Sequence, residues 1–521
     1  MNIHLIYHEG SSWYSEGNIH VKGRVFNSSG QLLYGKSLWN WFADVTEEAD
    51  FLCKIRELNG AFSVVMEDKT NGIVRVAVDR LRNFPLLYTQ EGHTFLISDS
   101  IDKLSQVSRK TTMDPEAENC LRSFGYTLGR STLIKDIYQL RGGEYLLFDG
   151  TKYKTGFYRE IPTLQFEGEY KAELKKLFLK LGKRICTALE GRPVALPLSG
   201  GWDSRIIALL LKLNGYKDVF CFTYGNPDQS EAYRSEKIAG KLGYSWHIID
   251  YHPFLKENYL HTESFRKYVD WVGNGISFPY LQEYFAARYL KEEMKLSSRT
   301  IFLPGHSGDA LGGSYFFPDM EHFSSLMDYA HKNYRRNGRL LLHSSKDKQA
   351  VLQCMVNHIS PERKVLTHLL HDYWLTEERQ TKQIVNSAKV WNYFGYEYML
   401  PLWDEELTTC CLSLPFECRL YKKVYNEVLE ELFLENDLLL ENESAAIYTA
   451  RQKKAFFRQR IKTYIGFFLR FFPKKDRYDF FYFEELLEPI RQELPPIPAN
   501  ELNAWLSAWY AFYFKNKLEN L

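Results

Sequence analysis

Residues 193–205 read Pro-Val-Ala-Leu-Pro-Leu-Ser-Gly-Gly-Trp-Asp-Ser-Arg, and this stretch decides the fold. Its apolar start predicts a short buried strand, and the apolar residues over 204–213 predict the helix that follows. Between them, two glycines let the backbone approach an anion, and the helix N-terminus adds free N–H groups and a favourable dipole. Because an aspartate repels bare phosphate, we expect Asp203 to hold a Mg²⁺ ion that bridges phosphates. An ordinary capped turn is the alternative.

The same alternation of strand and helix continues after this turn. Buried strands are predicted over 219–223 and 245–249, with a helix over 231–242 between them. An amphipathic helix over 167–189 precedes the turn. Strand, helix, strand, helix, strand is typical of a parallel sheet with right-handed crossovers. The chain beyond about residue 255 reads as mostly helical.

Residues before about 160 consist of short extended runs separated by turn residues. Two of these runs, 61–67 and 73–79, flank Asn71-Gly72 and predict a β-hairpin. Further strands are predicted over 20–26, 86–89, 94–98 and 144–148, and few long helical periods precede residue 168. We therefore predict two domains, a β-rich domain over 1–160 and an α/β domain over 168–521.

Composition excludes several classes of protein. The 521 residues carry 66 Lys+Arg against 65 Asp+Glu, a net charge of +1, which gives no global field for nucleic acid or anionic membranes. No signal peptide or transmembrane segment is indicated, so we expect a cytoplasmic protein. The 8 cysteines include no Cys-x-x-Cys pair and favour neither a disulfide scaffold nor a zinc site. His368 and His371 are expected on a solvated helix face.

The segment Ser-Gly-Gly-x-Asp-Ser over 199–204 resembles the pyrophosphate loop of the ATP pyrophosphatase superfamily. Within it, the order of later segments is similar to the asparagine synthetase family. Residues 305–313, Gly-His-Ser-Gly-Asp-Ala-Leu-Gly-Gly, resemble the second motif of that family, whose Asp shares the magnesium. Residues 397–404 resemble its Glu-x-x-x-Pro-Phe-Leu-Asp segment, and 451–454 resemble the stretch that bears a catalytic lysine. Residues 58–62 and 79–88 are similar to the family's glutaminase domain.

This resemblance implies a fold and a reaction. The fold is an N-terminal Ntn-hydrolase-like α+β sandwich followed by an adenine-nucleotide alpha hydrolase-like domain with a parallel sheet. The reaction is ATP- and Mg²⁺-dependent amide formation, in which a carboxylate is adenylylated, pyrophosphate leaves, and ammonia or an amine attacks. The implied partners are a small-molecule or peptide carboxylate and an amine donor, and a homodimer is one oligomeric state to consider.

The resemblance also implies which residues bind the nucleotide and the metal. Asp203 and Asp309 are the metal ligands, with an N-cap or surface turn as the alternative for each. Tyr224 brackets the adenine or ribose unless it is a surface aromatic. The full set for ATP and pyrophosphate is Ser199, Gly200, Gly201, Asp203, Ser204, Thr223, Tyr224, Gly305 and Gly308.

Three further residues are implied in catalysis. Lys453 would stabilise the charge on the adenylate and pyrophosphate, with Lys454 as the alternative. His306 stands where family members have Glu or Tyr, and it could take the proton of the attacking amine unless it is a buried, hydrogen-bonded histidine. Glu397 would orient that base or a substrate ammonium, with a structural ion pair as the alternative.

One departure from the family affects the source of nitrogen. The family's glutaminase uses an N-terminal cysteine, whereas position 2 is Asn2 and the first cysteine is Cys53. A carboxamide is not such a nucleophile, so we expect no glutamine hydrolysis. The family then offers two reactions, amidation of an acid by ammonia or closure of a lactam or lasso peptide. A catalytically degenerate nucleotide- or partner-binding protein is the third hypothesis, which paired metal carboxylates disfavour.

Overall fold

Two stacked β-sheets form the first part of the computed structural model, which describes residues 2–159, 169–338, 344–359, 361–455, 481–497 and 502–520. The larger sheet has, in order, Tyr153–Phe157, Glu144–Phe148, Ile73–Val78, Asn59–Asp68, Ile19–Phe26 and Tyr14–Glu16, with Leu32–Tyr34 also paired to Ile19–Phe26. The smaller sheet has, in order, Asn2–His4, Thr94–Ser98, Leu87–Glu91 and Tyr138–Gln139.

Apolar side chains fill the space between these sheets, among them Val76, Tyr88, Ile97 and Phe148. The hairpin predicted around Asn71-Gly72 is confirmed, since the strands on its two sides pair antiparallel. Helices cover both outer faces, which gives the α+β sandwich implied by the resemblance. The sequence pattern predicted few long helical periods here, and the helices that form are short: Gly35–Phe42, Glu48–Arg56, Ile101–Ser108 and Pro115–Phe124.

A five-stranded parallel sheet organises the second part of the chain. Its strand order is Ser245–Asp250, Val219–Gly225, Val194–Pro197, Ile301–Phe302 and Glu397–Tyr398. The helices Tyr170–Leu189, Trp202–Leu213 and Ser230–Leu242 connect or precede the first three strands, as the sequence predicted. The predicted domain boundary at 160–168 lies outside the described residues, so the domain limits stay predictions.

The strand order creates a crevice beside the central strand Val194–Pro197. Strands Val219–Gly225 and Ser245–Asp250 add on one side of it, whereas Ile301–Phe302 adds on the other. The order in which strands are added thus switches from one side of the central strand to the other. The loops after Pro197 and Phe302 therefore lie next to each other at the carboxyl edge of the sheet. In open α/β sheets, ligands bind at this reversal, outside the carboxyl ends of the strands.

Helices make up most of the rest of the described chain. One continuous, mostly buried helical segment contacts both parts of the molecule. It consists of His368–Trp374, the π-helical Leu375–Ile384 and Val385–Tyr393. None of the described helices is long and apolar enough to cross a membrane. The other helices are His252–Leu255, Glu263–Gly273, Tyr284–Glu292, Gly308–Gly312, Leu326–Asn337, Ser345–Asn357, Glu405–Ser413, Phe416–Arg419, Lys423–Glu435, 445–455, Phe483–Glu493 and Leu502–Glu519.

Candidate active site

The turn that follows the central strand is held by its own serines. The Ser199 amide donates to Ser204 Oγ at 3.1 Å, and the Gly201 amide donates to Ser199 Oγ at 3.2 Å. Gly201 precedes the helix Trp202–Leu213, so Asp203 lies in the first turn of this helix. The helix dipole stabilises a carboxylate at that position. The serine bonds therefore fix the turn directly in front of a helix N-terminus.

A buried arginine keeps one peptide oxygen of this turn away from the crevice. Arg205 Nη2 donates to the Gly200 carbonyl at 3.0 Å, and its Nη1 pairs with Glu443 at 2.6 Å. Both side chains are almost completely buried. Because this carbonyl is held by Arg205, the turn presents less negative charge to an incoming phosphate.

The loop after the strand Ile301–Phe302 lies against the serine turn. An added Cβ on Gly305 would lie 2.5 Å from the Ser204 amide nitrogen, and one on Gly308 would lie 2.3 Å from Asp203 Cγ. Any side chain at either position would separate the two loops. The glycines thus permit the close approach that brings Asp309 to Asp203.

Asp203 and Asp309 converge on one buried ammonium. Lys422 Nζ lies 2.9 Å from both Asp203 carboxylate oxygens and 3.0 Å from Asp309 Oδ1. The Ser314 hydroxyl donates to Asp309 at 3.0 Å. Lys422 and the preceding Tyr421 both have positive φ, 60° and 62°, which is uncommon for such residues. The sequence analysis missed Lys422, because no motif marks it.

The charges of this cluster shift its pKa values. Burial raises the pKa of Asp203, whose side chain is 18% exposed, despite the nearby ammonium. Asp309 is 60% exposed, and the Lys422 charge lowers its pKa. Burial alone would lower the pKa of Lys422, but the two carboxylates outweigh burial and raise it. Lys422 is therefore a cation that offsets one of the two carboxylate charges.

The end of the second strand closes the crevice on the other side. Thr223 Oγ1 donates to the Leu198 carbonyl at 2.8 Å and ties this strand to the serine turn. Tyr224 is half-buried and stacks on Tyr251 at 5.7 Å. Its hydroxyl donates to Glu283 at 3.0 Å, so Tyr224 is a packed residue and not a surface aromatic.

His306 also contacts Glu283, a residue that sequence reasoning missed. His306 Nε2 lies 3.4 Å from Glu283 Oε1, and Glu283 is 3% exposed. Within the described part of the chain, His306 Nδ1 and Glu283 Oε2 are buried atoms that have no hydrogen-bond partner. This arrangement resembles a base and its orienting carboxylate.

Glu397 does not reach this site, which corrects the role expected for it. It begins its strand and pairs in register with Ile301, which pairs with Val194, so it lies at the amino edge of the sheet. That edge is about 15 Å from the serine turn along the strand. Glu397 pairs with Arg192 at 2.7 Å and Arg24 at 3.6 Å, the structural ion pair named as its alternative. It lines a separate cavity of about 130 Å³ between the two parts of the chain.

Two other cationic residues border the site. Lys453 is exposed, and its Nζ lies 5.7 Å from the centre of the Tyr421 ring, next to Lys422, while Lys454 is exposed on the same helix. Arg379 lies over the Tyr315 ring at 4.4 Å, and its charge helps to lower the pKa of Asp309. Its Nη1 is buried with no hydrogen-bond partner among the described residues.

His371 departs from the expected solvated face. It is 1% exposed, lies 3.3 Å from the Tyr329 hydroxyl, and burial lowers its pKa to about 3. His368 packs against Phe316 and Phe416. The i, i+3 spacing thus puts both histidines on the helix face that packs against Phe316.

Comparison with known proteins finds both family profiles and individual proteins that resemble this chain. A family profile described as "Asparagine synthase" matches residues 186–458, more than half of the chain, and one described as "Glutamine amidotransferase domain" matches 51–159. "Putative asparagine synthetase (glutamine-hydrolyzing) 1" of Methanocaldococcus jannaschii is 22% identical over 438 residues, 81% of this chain and 69% of that protein. The solved NH3-dependent NAD synthetase from Campylobacter jejuni is 15% identical with a TM-score of 0.21, over 37% of this chain and 95% of that one.

Proposed function

The chain belongs to the asparagine synthase family, and from this premise we propose that it is an AMP-forming, Mg²⁺-dependent amide ligase. It adenylylates a carboxylate with ATP, releases pyrophosphate, and passes the acyl group to ammonia or an amine. The observation that carries this proposal is the convergence of Asp203 and Asp309 on Lys422 Nζ, within 3.0 Å, beside the serine turn.

The residues at the crevice fit a magnesium–nucleotide. Two carboxylates that share one ammonium are already spaced to share a cation, and oxygen ligands are those that Mg²⁺ prefers. The turn before Trp202–Leu213 offers backbone amides at a helix N-terminus, the usual place for phosphate. When bound, Mg²⁺ would neutralise phosphate oxygens and favour departure of pyrophosphate.

Different residues of the chain would bind pyrophosphate, stabilise charge and accept the proton. The amides and hydroxyls of residues 199–204 hold the pyrophosphate in line with the leaving bond. Lys453 at the rim supplies positive charge where phosphate charge develops. His306 accepts the proton of the attacking amine on one ring nitrogen, while Glu283 holds the other.

Arg379 is the residue that we assign to the acceptor acid. Its guanidinium lies among Tyr315, Tyr280 and Asp309, as their mutual charge effects show. A buried guanidinium nitrogen with no hydrogen-bond partner in the described part of the chain suits a substrate carboxylate, because such charge-assisted bonds are strong and directional. This favours an acceptor with an anionic group in addition to the carboxylate that is activated.

We propose further that glutamine is not the nitrogen source. Asn2 stands at the start of the strand Asn2–His4, and a carboxamide does not attack glutamine. The first cysteine of the chain, Cys53, is exposed on the helix Glu48–Arg56, where it donates to Glu57. Free ammonia or a substrate amine is then the nucleophile, so the lactam- or lasso-peptide-forming reaction remains the second candidate.

Pyrophosphate release tests the proposal. The chain is incubated with ATP, Mg²⁺ and a set of acids, with ammonium or with amine-bearing peptides and β-amino acids. Release with ammonium and a small acid supports amidation, and release with a peptide or β-amino acid alone supports cyclisation. ATP binding without release under any condition would contradict a ligase and leave the degenerate nucleotide-binding protein. Turnover with glutamine and accumulation of free glutamate would contradict the loss of glutaminase activity.

A further inference from the structure

Four metal-ligating side chains meet between two helices that are far apart in sequence. Helix Pro115–Phe124 carries Glu116 and Cys120, and the helix Ser345–Asn357 carries Cys354 and ends at His358. Each pair has the i, i+4 spacing that puts two side chains on one helix face. The four therefore form two facing pairs of ligands across a helix–helix contact.

Three of the four side chains, Glu116, Cys354 and His358, are close enough to share an ion, and Cys120 adjoins one of them. Cys120 Sγ and Cys354 Sγ are 3.1 Å apart. One ligand atom each of Glu116, Cys354 and His358 lies within 4.8 Å of the other two. Thiolates bound at about 2.3 Å to a tetrahedral ion are about 3.8 Å apart, so small rotations of the two thiols would admit one.

Burial and surroundings also fit a structural metal. Cys120 is fully buried and Cys354 is 2% exposed, whereas Glu116 is exposed and gives the cluster an opening to solvent. The His358 ring lies against Gly129, and the His358 carbonyl accepts from Arg141 at 3.3 Å.

We propose that Glu116, Cys120, Cys354 and His358 bind one structural Zn²⁺ ion. Two thiolates, an imidazole and a carboxylate are a complete tetrahedral set for zinc, with no open position for a substrate. The ion links a helix of the first part of the chain to a helix inserted between the strands Ile301–Phe302 and Glu397–Tyr398 of the parallel sheet. This role is independent of the proposed ligase reaction. The cluster is hidden in the sequence because the two cysteines are 234 residues apart.

Zinc content of the full chain tests this proposal. The purified protein is treated with a chelator, dialysed and titrated with Zn²⁺, and bound zinc is measured by elemental mass spectrometry. We expect one zinc per chain, no specific zinc in Cys354→Ala, and affinity lowered more than about 100-fold in His358→Gln, since outer-sphere changes alone cost 10–100-fold. Zinc should raise the thermal midpoint by about 5 °C in the wild type and not in Cys354→Ala.

Two controls keep the result unambiguous. Cys221→Ala removes a thiol that is equally buried, in the parallel sheet, and should bind zinc like the wild type. His358→Gln keeps both buried thiols, so it reports on the site even where Cys354→Ala unfolds. Equal zinc binding by the wild type and His358→Gln would overturn the proposal. So would alkylation of only six of the 8 cysteines in the denatured chain, because a Cys120–Cys354 disulfide would then occupy the cluster.

Discussion

Replacing Lys422 by methionine removes the cation between Asp203 and Asp309 while keeping a side chain of similar length. Lys422 Nζ makes three contacts of 2.9–3.0 Å to these carboxylates, and its side chain is 6% exposed. Removing one partner of a buried ion pair costs about 3–5 kcal/mol, because the other charge stays buried. Since Asp309 is 60% exposed and is solvated, we count Asp203 alone and expect the lower end, about 3 kcal/mol.

A divalent ion should reverse this loss. With Lys422 gone, the two carboxylates are free to bind Mn²⁺ in the absence of nucleotide, and the variant should bind it at least about tenfold more tightly than the wild type, a gain of about 1.4 kcal/mol. Mn²⁺ at 100 times its dissociation constant restores about 2.7 kcal/mol of stability, close to what the substitution removes.

Urea unfolding with and without Mn²⁺, together with Mn²⁺ binding followed by electron paramagnetic resonance, measures both effects. The control is Lys423→Met, which removes the same charge from the neighbouring exposed position. Equal stability of the Lys422→Met and Lys423→Met proteins in a chelator, or unchanged Mn²⁺ affinity, would refute the view that Lys422 offsets one charge of the metal-ligand pair.

Three other predictions follow from single residues. Glu283→Gln should lower kcat by about 100-fold and alter the pH profile of turnover, because His306 loses its orienting carboxylate, whereas Glu397→Gln breaks only ion pairs and should cost less than about threefold in the same pyrophosphate assay. Arg379→Gln should raise KM for the acceptor acid about 10- to 100-fold with little change in kcat, since a bond to a charged group contributes about 1.5–3 kcal/mol; a fall in kcat alone would contradict this. Burial lowers the pKa of His371 to about 3, so the unfolded chain gains a proton below about pH 6.5 that the folded chain gains only near pH 3. Between pH 7 and 5 the wild type should therefore lose about 2 kcal/mol that His371→Gln keeps, and equal losses in parallel urea titrations would show that this histidine is not the cause.

The strand, turn and helix over 193–213 could be predicted because their signals are local. An apolar strand, two glycines and an apolar helix occupy consecutive residues, and the structure has the strand Val194–Pro197 and the helix Trp202–Leu213 in these places. The alternation of strands and helices along the sequence also predicted the parallel sheet. The four short helices before residue 125 were missed, because one or two turns give too few periods to stand out from a β-rich background.

The role of Glu397 could not be judged in the same way. Its segment matched a family motif, but its strand has two residues, and the motif does not say which end of a strand faces the crevice. The strand register shows where Glu397 lies: its pairing with Ile301 puts it at the amino edge of the sheet. There it forms ion pairs with Arg192 and Arg24. The carboxylate that does reach His306 comes from Glu283, which lies in no recognisable motif.

By itself, the sequence determined the strand–turn–helix that can hold phosphate, the parallel sheet around it, and Asp203 and Asp309 as acids next to glycine-rich loops. Those properties depend on residues that are neighbours along the chain. Tertiary structure decided that Lys422 lies between the two acids, that Glu283 lies beside His306, and that Cys120 faces Cys354. Each of these contacts joins side chains from separate elements, and a contact of that kind exists only after the strand order, register and helix packing have been set.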